Sequence, residues 1–408
     1  MGYLKKAATG FGWLGFLKGL TKFFSLLKNI VLARLLFPQD FGLFGITAAV
    51  LAIMERFTET GVNTFLVQTR ENYRSFINAA WFIAIIRGFC IFLLIYASAF
   101  FLPNFYNEPL LQNMLFVASV IPFIKGFINP AIIKFWKEMQ FEKEVIFRGI
   151  LTFIEALGSV LFVVWTHNVI GLIYAFILSA ILEVCISNLF ITPKPQFKFE
   201  REKVIRILKS SSWLNLSAVL AFLTLNIDDL IIGKILGTQS LGYYQYAYKV
   251  SQTAVGEIGE LGAQTVFPVY SAIQDEKKRM RSAFLKAFVP LSLALIVPVA
   301  MLWFYAKPLV SLILGTNWLP LIPVLPYLLI AAYLQALNAL IYPVYLAVNK
   351  PQYNAVVLFV QVVVTVVLLF VLAPKYGLVG AGIAVLFARI IIQPLFALYF
   401  VKSLRKDT

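Results

Sequence analysis

The sequence predicts an all-α polytopic membrane protein with twelve transmembrane helices, arranged as two six-helix parallel repeats. Three observations carry this reading. The 408 residues are 61% hydrophobic and only 13% charged, whereas a soluble domain carries about 25% charge. Runs of about 20 apolar residues recur from end to end, the length a helix needs to cross the hydrocarbon of a bilayer. The two halves also share residues at a constant offset of 200 positions. The apolar runs are continuous and do not alternate, which excludes a transmembrane β-barrel.

The spans read as 11–35, 41–66, 76–102, 110–133, 147–166, 170–191, 212–236, 241–268, 284–304, 321–347, 354–373 and 378–400. They fall into an N-terminal bundle, 1–191, a basic linker, 192–210, and a C-terminal bundle, 211–408. The first span is the unusual one. It carries Lys18, Lys22, Lys28 and Arg34 and ends in Ala33-Arg34-Leu35-Leu36-Phe37-Pro38-Gln39-Asp40-Phe41-Gly42. A cation at the centre of a spanning helix costs roughly 2.5–3.5 kcal/mol on insertion scales. Lys18 and Lys22 are one helical turn apart and share a face that Ser25 and Asn29 continue. Such a stripe calls for a watery cavity or an anionic ligand.

Loop charge sets the orientation. The termini and even-numbered loops hold the cations, from Lys5 and Lys6, through Arg70, Arg74, Lys134, Lys137, Lys143 and Arg148, to Lys402, Arg405 and Lys406. The odd-numbered loops hold only Lys307 and Lys375. The positive-inside rule then puts both termini in the cytoplasm. The first span is too long and too charged for a cleavable signal peptide. In the linker, Pro193 and Pro195 stop the sixth span. The stretch from Phe199 to Leu208 is either a short amphipathic helix at the anionic inner leaflet or a solvated connection.

The offset of 200 aligns Trp13-Leu14 with Trp213-Leu214, Arg34 with Lys234, Leu36 with Leu236, and Gln39-Asp40-Phe41-Gly42 with Gln239-Ser240-Leu241-Gly242. Gly171-Leu172 and Gly377-Leu378 open the sixth and twelfth spans. Each half has six spans and starts on the same side. That makes a parallel repeat, related by an axis along the membrane normal.

These motifs resemble the polysaccharide flippase family, the Wzx-type exporters of lipid-linked oligosaccharides in the MOP exporter superfamily. The first carrier is the segment from Ala33 to Gly42, with Gly61 of the Glu-Thr-Gly step in the second span. The second is Asn226-Ile227-Asp228-Asp229-Leu230-Ile231-Ile232-Gly233-Lys234-Ile235-Leu236-Gly237, followed by Leu241-Gly242-Tyr243-Tyr244 and Ala247-Tyr248. Together they resemble the colanic-acid-type and teichuronic-acid-type exporters. Many members of the superfamily have fourteen spans, against the twelve read here. The resemblance implies a MATE-like fold and a transporter without a cofactor, not an enzyme. It implies translocation of an undecaprenyl-diphosphate-linked oligosaccharide, an O-antigen or exopolysaccharide repeat unit, by alternating access. Its partners would be that substrate and the membrane lipids. Protons or sodium, and the polysaccharide polymerase and chain-length machinery, are further candidates.

Eight cations lie well inside the spans: Lys18, Lys22, Lys28, Arg56, Arg87, Lys125, Lys249 and Arg389. Eight acids join them: Glu55, Glu59, Glu155, Glu183, Asp228, Asp229, Glu257 and Glu260. Facing lipid, sixteen charges would cost on the order of 50 kcal/mol, more than a marginally stable fold absorbs. They must face water or pair with one another. A diphosphate, which the resemblance supplies as ligand, is met by charge-assisted bonds from Lys or Arg. Lys18, Lys22 and Lys28 are the first candidates for substrate binding, Arg87 and Arg389 the next, with Arg56 and Lys249 completing the set. Lys28 has an alternative, an ion pair with Asp228 or Asp229, because position 28 maps onto 228. Arg34 and Lys234, at helix ends, are interface anchors or partners of Asp40. Glu55, Glu59, Asp228 and Asp229 either couple transport to protons or cations or neutralise the lysines. Tyr243, Tyr244, Tyr246 and Tyr248 form either an interfacial aromatic belt or a surface for stacking sugars.

Other functions are excluded or set behind. The net charge of +16 lies in short loops between apolar spans, which argues against a nucleic-acid partner. Cys90 and Cys185 fall inside spans, and the single His167 builds no metal site. No phosphate-binding loop ending in Lys-Ser or Lys-Thr occurs, against an ATP-driven pump. A MATE-type cation or drug antiporter would prefer an acidic cavity. A membrane polysaccharide polymerase or glycosyltransferase would need a larger outer loop than 103–109 or 165–168.

Overall fold

The structure, a computed structural model, describes residues 3–58, 60–69, 71–209 and 214–404, with the backbone alone at 3–11, 14, 214–221 and 225. Glu59, Arg70, Trp213, Arg405 and Lys406 lie outside the described residues. All elements among the described residues are helices. Six are long and apolar enough to cross a membrane, eight if each sharply bent pair is one span. The chain divides into two compact units, Met1–Val219 and Leu220–Thr408.

Unit 1 begins with α1 (Tyr3–Leu35) and α2 (Pro38–Phe57). Pro38 lacks an N–H and stands at the first helical position, where none is needed. The Asp40 carboxylate caps the turn by accepting from the Phe37 N–H at 2.8 Å. Next come α3 (Val62–Gln68), a 3-10 turn (Tyr73–Phe76), α4 (Ile77–Ser98), α5 (Leu102–Tyr106) and α6 (Leu110–Lys125). A second 3-10 turn (Pro130–Ile133) and α7 (Lys134–Lys137) lead to α8 (Phe141–Thr166) and α9 (Ile170–Phe190). The most extensive packing is α8 on α9, α1 on α8, and α4 on α6.

Two of the straight spans read from the sequence are broken. The second stops at Phe57 and resumes as α3 after Gly61, whose φ of +61° is left-handed and favours glycine. The fourth bends by 69° between α6 and the Pro130 turn. Asn129 holds that bend. Its Oδ1 accepts from the Ala131 N–H at 2.9 Å, and its Nδ2 donates to the carbonyls of Ile191 and Pro193, each at 3.1 Å. Gly88 of α4 permits a close approach to α6: a Cβ there would lie 2.5 Å from the Pro122 carbonyl oxygen.

The linker is not a loose connection. The Gln196 N–H donates to Asn78 Oδ1 at 2.9 Å, and Phe197 and Phe199 both pack on Phe82. It then forms α10 (Arg201–Lys209), which lays the fully buried Ile207 on unit 1 and pairs Arg206 with Glu71 at 2.5 Å.

Unit 2 takes most of α11 (Leu214–Ser251), then a π-helical turn (Gln252–Gly256), α12 (Glu257–Ala272) and α13 (Lys277–Ile313). A 3-10 stretch (Thr316–Leu321) precedes α14 (Leu325–Ala339), α15 (Tyr342–Ala347), α16 (Gln352–Ile391) and α17 (Gln393–Leu404). Two long helices are hairpins. α11 breaks at Gly237, with φ +82° and ψ 171°. Its legs fold back so that Tyr244 reaches Asp228 and Gln245 reaches Asp229. α16 breaks at Gly377, and Gly380 then sits against the backbone of Leu372. α14 and α15 form the interior, with Leu328, Leu329, Val344 and Tyr345 buried. α13 exposes Leu293, Val297 and Phe304, a surface compatible with lipid rather than water.

Candidate functional site

Within unit 1 a polar cleft of about 350 Å³ lies among α2, α4, α6, α8 and α9. Its charged lining is three cations, Arg87, Lys125 and Arg148, against two acids, Glu55 and Glu183. Arg87 reaches back to α2: Nη2 donates to the Glu55 carbonyl at 2.5 Å and Nε to Thr58 Oγ1 at 3.3 Å. It thereby meets the negative end of α2, where the last carbonyls have no intrahelical partner. Lys125 Nζ lies 3.6 Å from Glu55 Oε1, and both side chains are over one-third exposed. Arg148 bonds Glu183 at 2.7 Å and Glu144 at 3.2 Å. The lining holds one more cation than acid, although Glu144 beyond it also pairs with Arg148; the guanidinium and ammonium groups supply charge-assisted donors that suit an anion.

The predicted candidates fall differently. Lys18 and Lys22 are exposed on α1 and are not among the residues lining the cleft. Arg56 is exposed at the end of α2, and Lys249 is exposed with its ammonium 5.9 Å from the Tyr246 ring. Lys28 corrects an expectation. Its partner is neither Asp228 nor Asp229 but Glu155 of α8, at 2.9 Å, and its ammonium also lies 5.7 Å from the Phe176 ring. The reason is packing: α1 lies against α8, so a helix of its own bundle supplies the acid. Glu55 lines the cleft; Glu59 is outside the described residues.

In unit 2 the acids of α11 belong to a buried network. Tyr244 donates to Asp228 Oδ2 at 2.5 Å, and Gln245 Nε2 to Asp229 Oδ2 at 2.8 Å. Tyr244 stacks on Tyr248, and Arg389 of α16 donates to the Tyr248 hydroxyl at 3.3 Å. Asp228 Oδ1 and Arg389 Nε and Nη1 are buried without a hydrogen-bond partner. Arg389 also closes one side of a cleft of about 340 Å³ that includes Glu260, Gln335, Asn338, Asn354 and Gln361. Tyr244 and Tyr246 are buried, and Tyr246 packs on Trp318 at 4.0 Å. They are core residues, neither an aromatic belt nor a sugar-stacking surface.

Two features escaped the sequence reading. Arg148 reads as a loop cation, but α8 begins at Phe141, which carries Arg148 two turns into the helix. Glu144 stands four residues before Arg148, a spacing that signals an ion pair on one helix.

A mostly apolar helical bundle with charged clefts inside its units is the build of a multi-pass membrane transporter. The solved structures agree on the fold. The chain is similar to an inward-facing MATE family transporter of the MOP superfamily (TM-score 0.75, 14% identity, covering 95% of this chain and 96% of that one). It is similar to the lipid II flippase MurJ in an inward closed conformation (TM-score 0.77, 13% identity, covering 96% and 88%). The chain belongs to the polysaccharide biosynthesis protein family, whose profile matches residues 31–323. Among relatives, an uncharacterized membrane protein in the cps region of Klebsiella pneumoniae is 22% identical over 371 residues, 90% of this chain and 76% of that one. The lipopolysaccharide biosynthesis protein WzxC of Escherichia coli (strain K12) is 21% identical over 348 residues, 83% and 69%. The teichuronic acid biosynthesis protein TuaB of Bacillus subtilis (strain 168) is 22% identical over 288 residues, 68% and 58%.

Proposed function

We propose that the protein is a flippase. It moves an undecaprenyl-diphosphate-linked oligosaccharide, an O-antigen or exopolysaccharide repeat unit, from the inner to the outer face of the cytoplasmic membrane by alternating access. The observation that carries this is the cation-rich cleft of unit 1, in a membrane protein of a polysaccharide biosynthesis family. A diphosphate offers about two negative charges, and Arg87, Lys125 and Arg148 are donors of the right sign. A cation antiporter would want the opposite excess. The protein makes and breaks no covalent bond in this reading; differential binding to two states is the whole of its work.

The architecture we infer has twelve spans in two parallel six-helix repeats, bundles 1–191 and 211–408 joined by the linker 192–210, with both termini cytoplasmic. The hairpin break at Gly237 supports the repeat, because the offset of 200 carries it onto Phe37, where α1 turns into α2. Substrate-binding residues are drawn from Lys18, Lys22, Lys28, Arg56, Arg87, Lys249 and Arg389. Of these Arg87 and Arg389 have the strongest support, since each lines a cleft of its own unit. Lys28 takes part only by exchanging Glu155 for substrate. Asp228, Asp229, Glu55 and Glu59 are the ion-coupling candidates, with protons or sodium as the ion. The polysaccharide polymerase and chain-length machinery would receive the product.

The test is complementation. A deletion strain supplied with Arg87→Ala or Lys125→Ala should lose surface polysaccharide and accumulate the lipid-linked intermediate at the inner face, at unchanged protein level. Normal export from the double variant would reject the cleft as the anion site. Drug resistance conferred by the wild-type gene without any change in polysaccharide would reject the flippase reading itself.

A further inference from the structure

The cleft of unit 2 is lined by amides. Gln335 and Asn338 come from α14, Asn354 and Gln361 from the first leg of α16. The spacings are helical: 335 and 338 stand one turn apart, 354 and 361 two turns, so each pair shares one face of its helix. All four side chains are half-buried. Gln252 Nε2 donates to Gln335 Oε1 at 2.7 Å, which engages that oxygen and leaves the Gln335 Nε2 as a donor. Gln252 opens the π-helical turn, whose Gly256 also lines the cleft. Such turns within helices are frequent at functional sites. The side-chain amides of Asn338, Asn354 and Gln361 bond to no protein group among the described residues. Both helices belong to spans apolar enough to cross a membrane. An amide without a partner in apolar surroundings is penalised, so four of them around one cleft call for a polar occupant.

Charge narrows what that occupant can be. The lining itself holds one cation and one acid, Arg389 and Glu260. Arg389 bonds Tyr248, Tyr248 stacks on Tyr244, and Tyr244 bonds Asp228, next to Asp229. Counting that network together with Lys249, acids still outnumber cations, so the cleft does not suit an anion. A bound metal or alkali cation takes oxygen ligands. Here the Gln335 oxygen is already engaged, and the Arg389 guanidinium stands in the lining. A hydroxyl both donates and accepts, as an amide does. A neutral, hydroxyl-rich ligand is the match. Tyr342, exposed at the start of α15, adds an aromatic face to the same lining. The volume of about 340 Å³ lies within the range of small-ligand pockets.

We propose that the unit 2 cleft is a sugar-binding site that takes uncharged residues of the transported glycan, an assignment that rests on the flippase reading above. Gln335, Asn338, Asn354 and Gln361 bond the sugar hydroxyls, and Tyr342 packs on a ring face. The charged and the neutral parts of the substrate then meet different clefts, cation-rich in unit 1 and amide-lined in unit 2. Such a site also selects. A sugar that lacks one of the bonded hydroxyls leaves an amide unpaired and is rejected far more strongly than a change in apolar bulk would be. Gln252 is a positioning residue, since it holds Gln335.

The probe is the glycan itself. Lipid-linked oligosaccharide is extracted from a strain lacking the gene, and mild acid hydrolysis splits the glycan from its diphosphate. The full-length protein in lipid nanodiscs is titrated with this soluble glycan and followed by saturation-transfer NMR. Sugar ring protons should receive saturation from wild type. Asn354→Ala and Gln361→Ala should each weaken binding roughly threefold to tenfold. Arg279→Ala, which removes an exposed ion pair with Glu276 on the same unit, should bind as wild type does. Melting temperatures show that each variant is folded, and two separate positions guard against a defect in either. Wild-type affinity in the Asn354→Ala, Gln361→Ala double variant overturns the site. So does a wild type that shows no transfer to the glycan, a result that needs no variant. A strain that accumulates no lipid-linked oligosaccharide rejects the flippase reading and this assignment with it; a glycan that accumulates and does not bind rejects the assignment alone.

Discussion

Lys28 Nζ donates to Glu155 Oε1 at 2.9 Å, fixing α1 to α8 inside unit 1. Both side chains are at most one-quarter exposed, so neither charge is fully hydrated once its partner is gone. Removing one partner should therefore cost more than removing both. Lys28→Met or Glu155→Met alone should lower stability by on the order of 1–3 kcal/mol, and the double variant should recover part of that loss. Thermal unfolding in detergent measures it. Additive losses would mean that the pair contributes nothing as a pair.

The contact between α4 and α6 makes a second prediction. A Cβ on Gly88 would meet the Pro122 carbonyl oxygen at 2.5 Å, and backbone cannot swing aside as a side chain does. These two helices carry Arg87 and Lys125, which both line the cleft and both reach Glu55. Gly88→Val should force them apart, at a cost of about 1–3 kcal/mol, and depress export beyond the loss in protein level. Gly149→Ala is the control, since a Cβ there meets only a flexible leucine methyl at an ordinary 3.5 Å. Equal export per molecule from the two variants would show that the approach is not needed.

How much of this was legible in the sequence depends on the range of the interaction. The helical class came from apolar runs, a local property. The hairpin at Gly237 was foreshadowed by the offset of 200, because Gln39-Asp40-Phe41-Gly42 and its counterpart both follow a turn. The breaks after Phe57 and Lys125 were missed, since hydropathy counts apolar residues but not the direction of the axis. The partner of Lys28 was missed for a different reason. Symmetry pointed to Asp228, but which helix lies beside which is settled by packing, and α8 supplied the acid. Arg148 sits at the edge of the apolar run 147–166, whereas its helix begins at Phe141, so a side chain two turns inside the helix reads as a loop charge.

Gly237 supports a prediction on the backbone itself. Its φ of +82° with ψ of 171° belongs to a region that side chains rarely enter, while nothing lies within 4 Å of a Cβ placed there. A substitution is thus penalised by conformation alone. Gly237→Ala should destabilise by about 1–3 kcal/mol, and Gly237→Val by at least as much, although neither creates a clash. The same change at Gly15, helical and also open, should cost nothing or stabilise. Comparable melting temperatures for the Gly237 and Gly15 variants would contradict the hairpin.

Asp228 and Tyr244 give the last prediction, because structure and ion coupling make different demands on them. The Tyr244 hydroxyl is the side-chain donor to Asp228 Oδ2, and Oδ1 has no hydrogen-bond partner. Tyr244→Phe strips that donor from a buried carboxyl and should cost about 1–3 kcal/mol, whatever the function. Asp228→Asn is milder, since an amide oxygen still accepts from Tyr244, so this variant should fold. If Asp228 carries a coupling ion, export by Asp228→Asn should lose its dependence on external pH or sodium while the protein remains at its normal level. The adjacent Asp229, bonded to Gln245 at 2.8 Å, separates the two carboxyls: Asp229→Asn with an intact ion profile assigns the coupling to Asp228 alone. Export by both variants, with the wild-type response to pH and sodium, would leave these aspartates as structural members of the hairpin and remove them from the transport cycle.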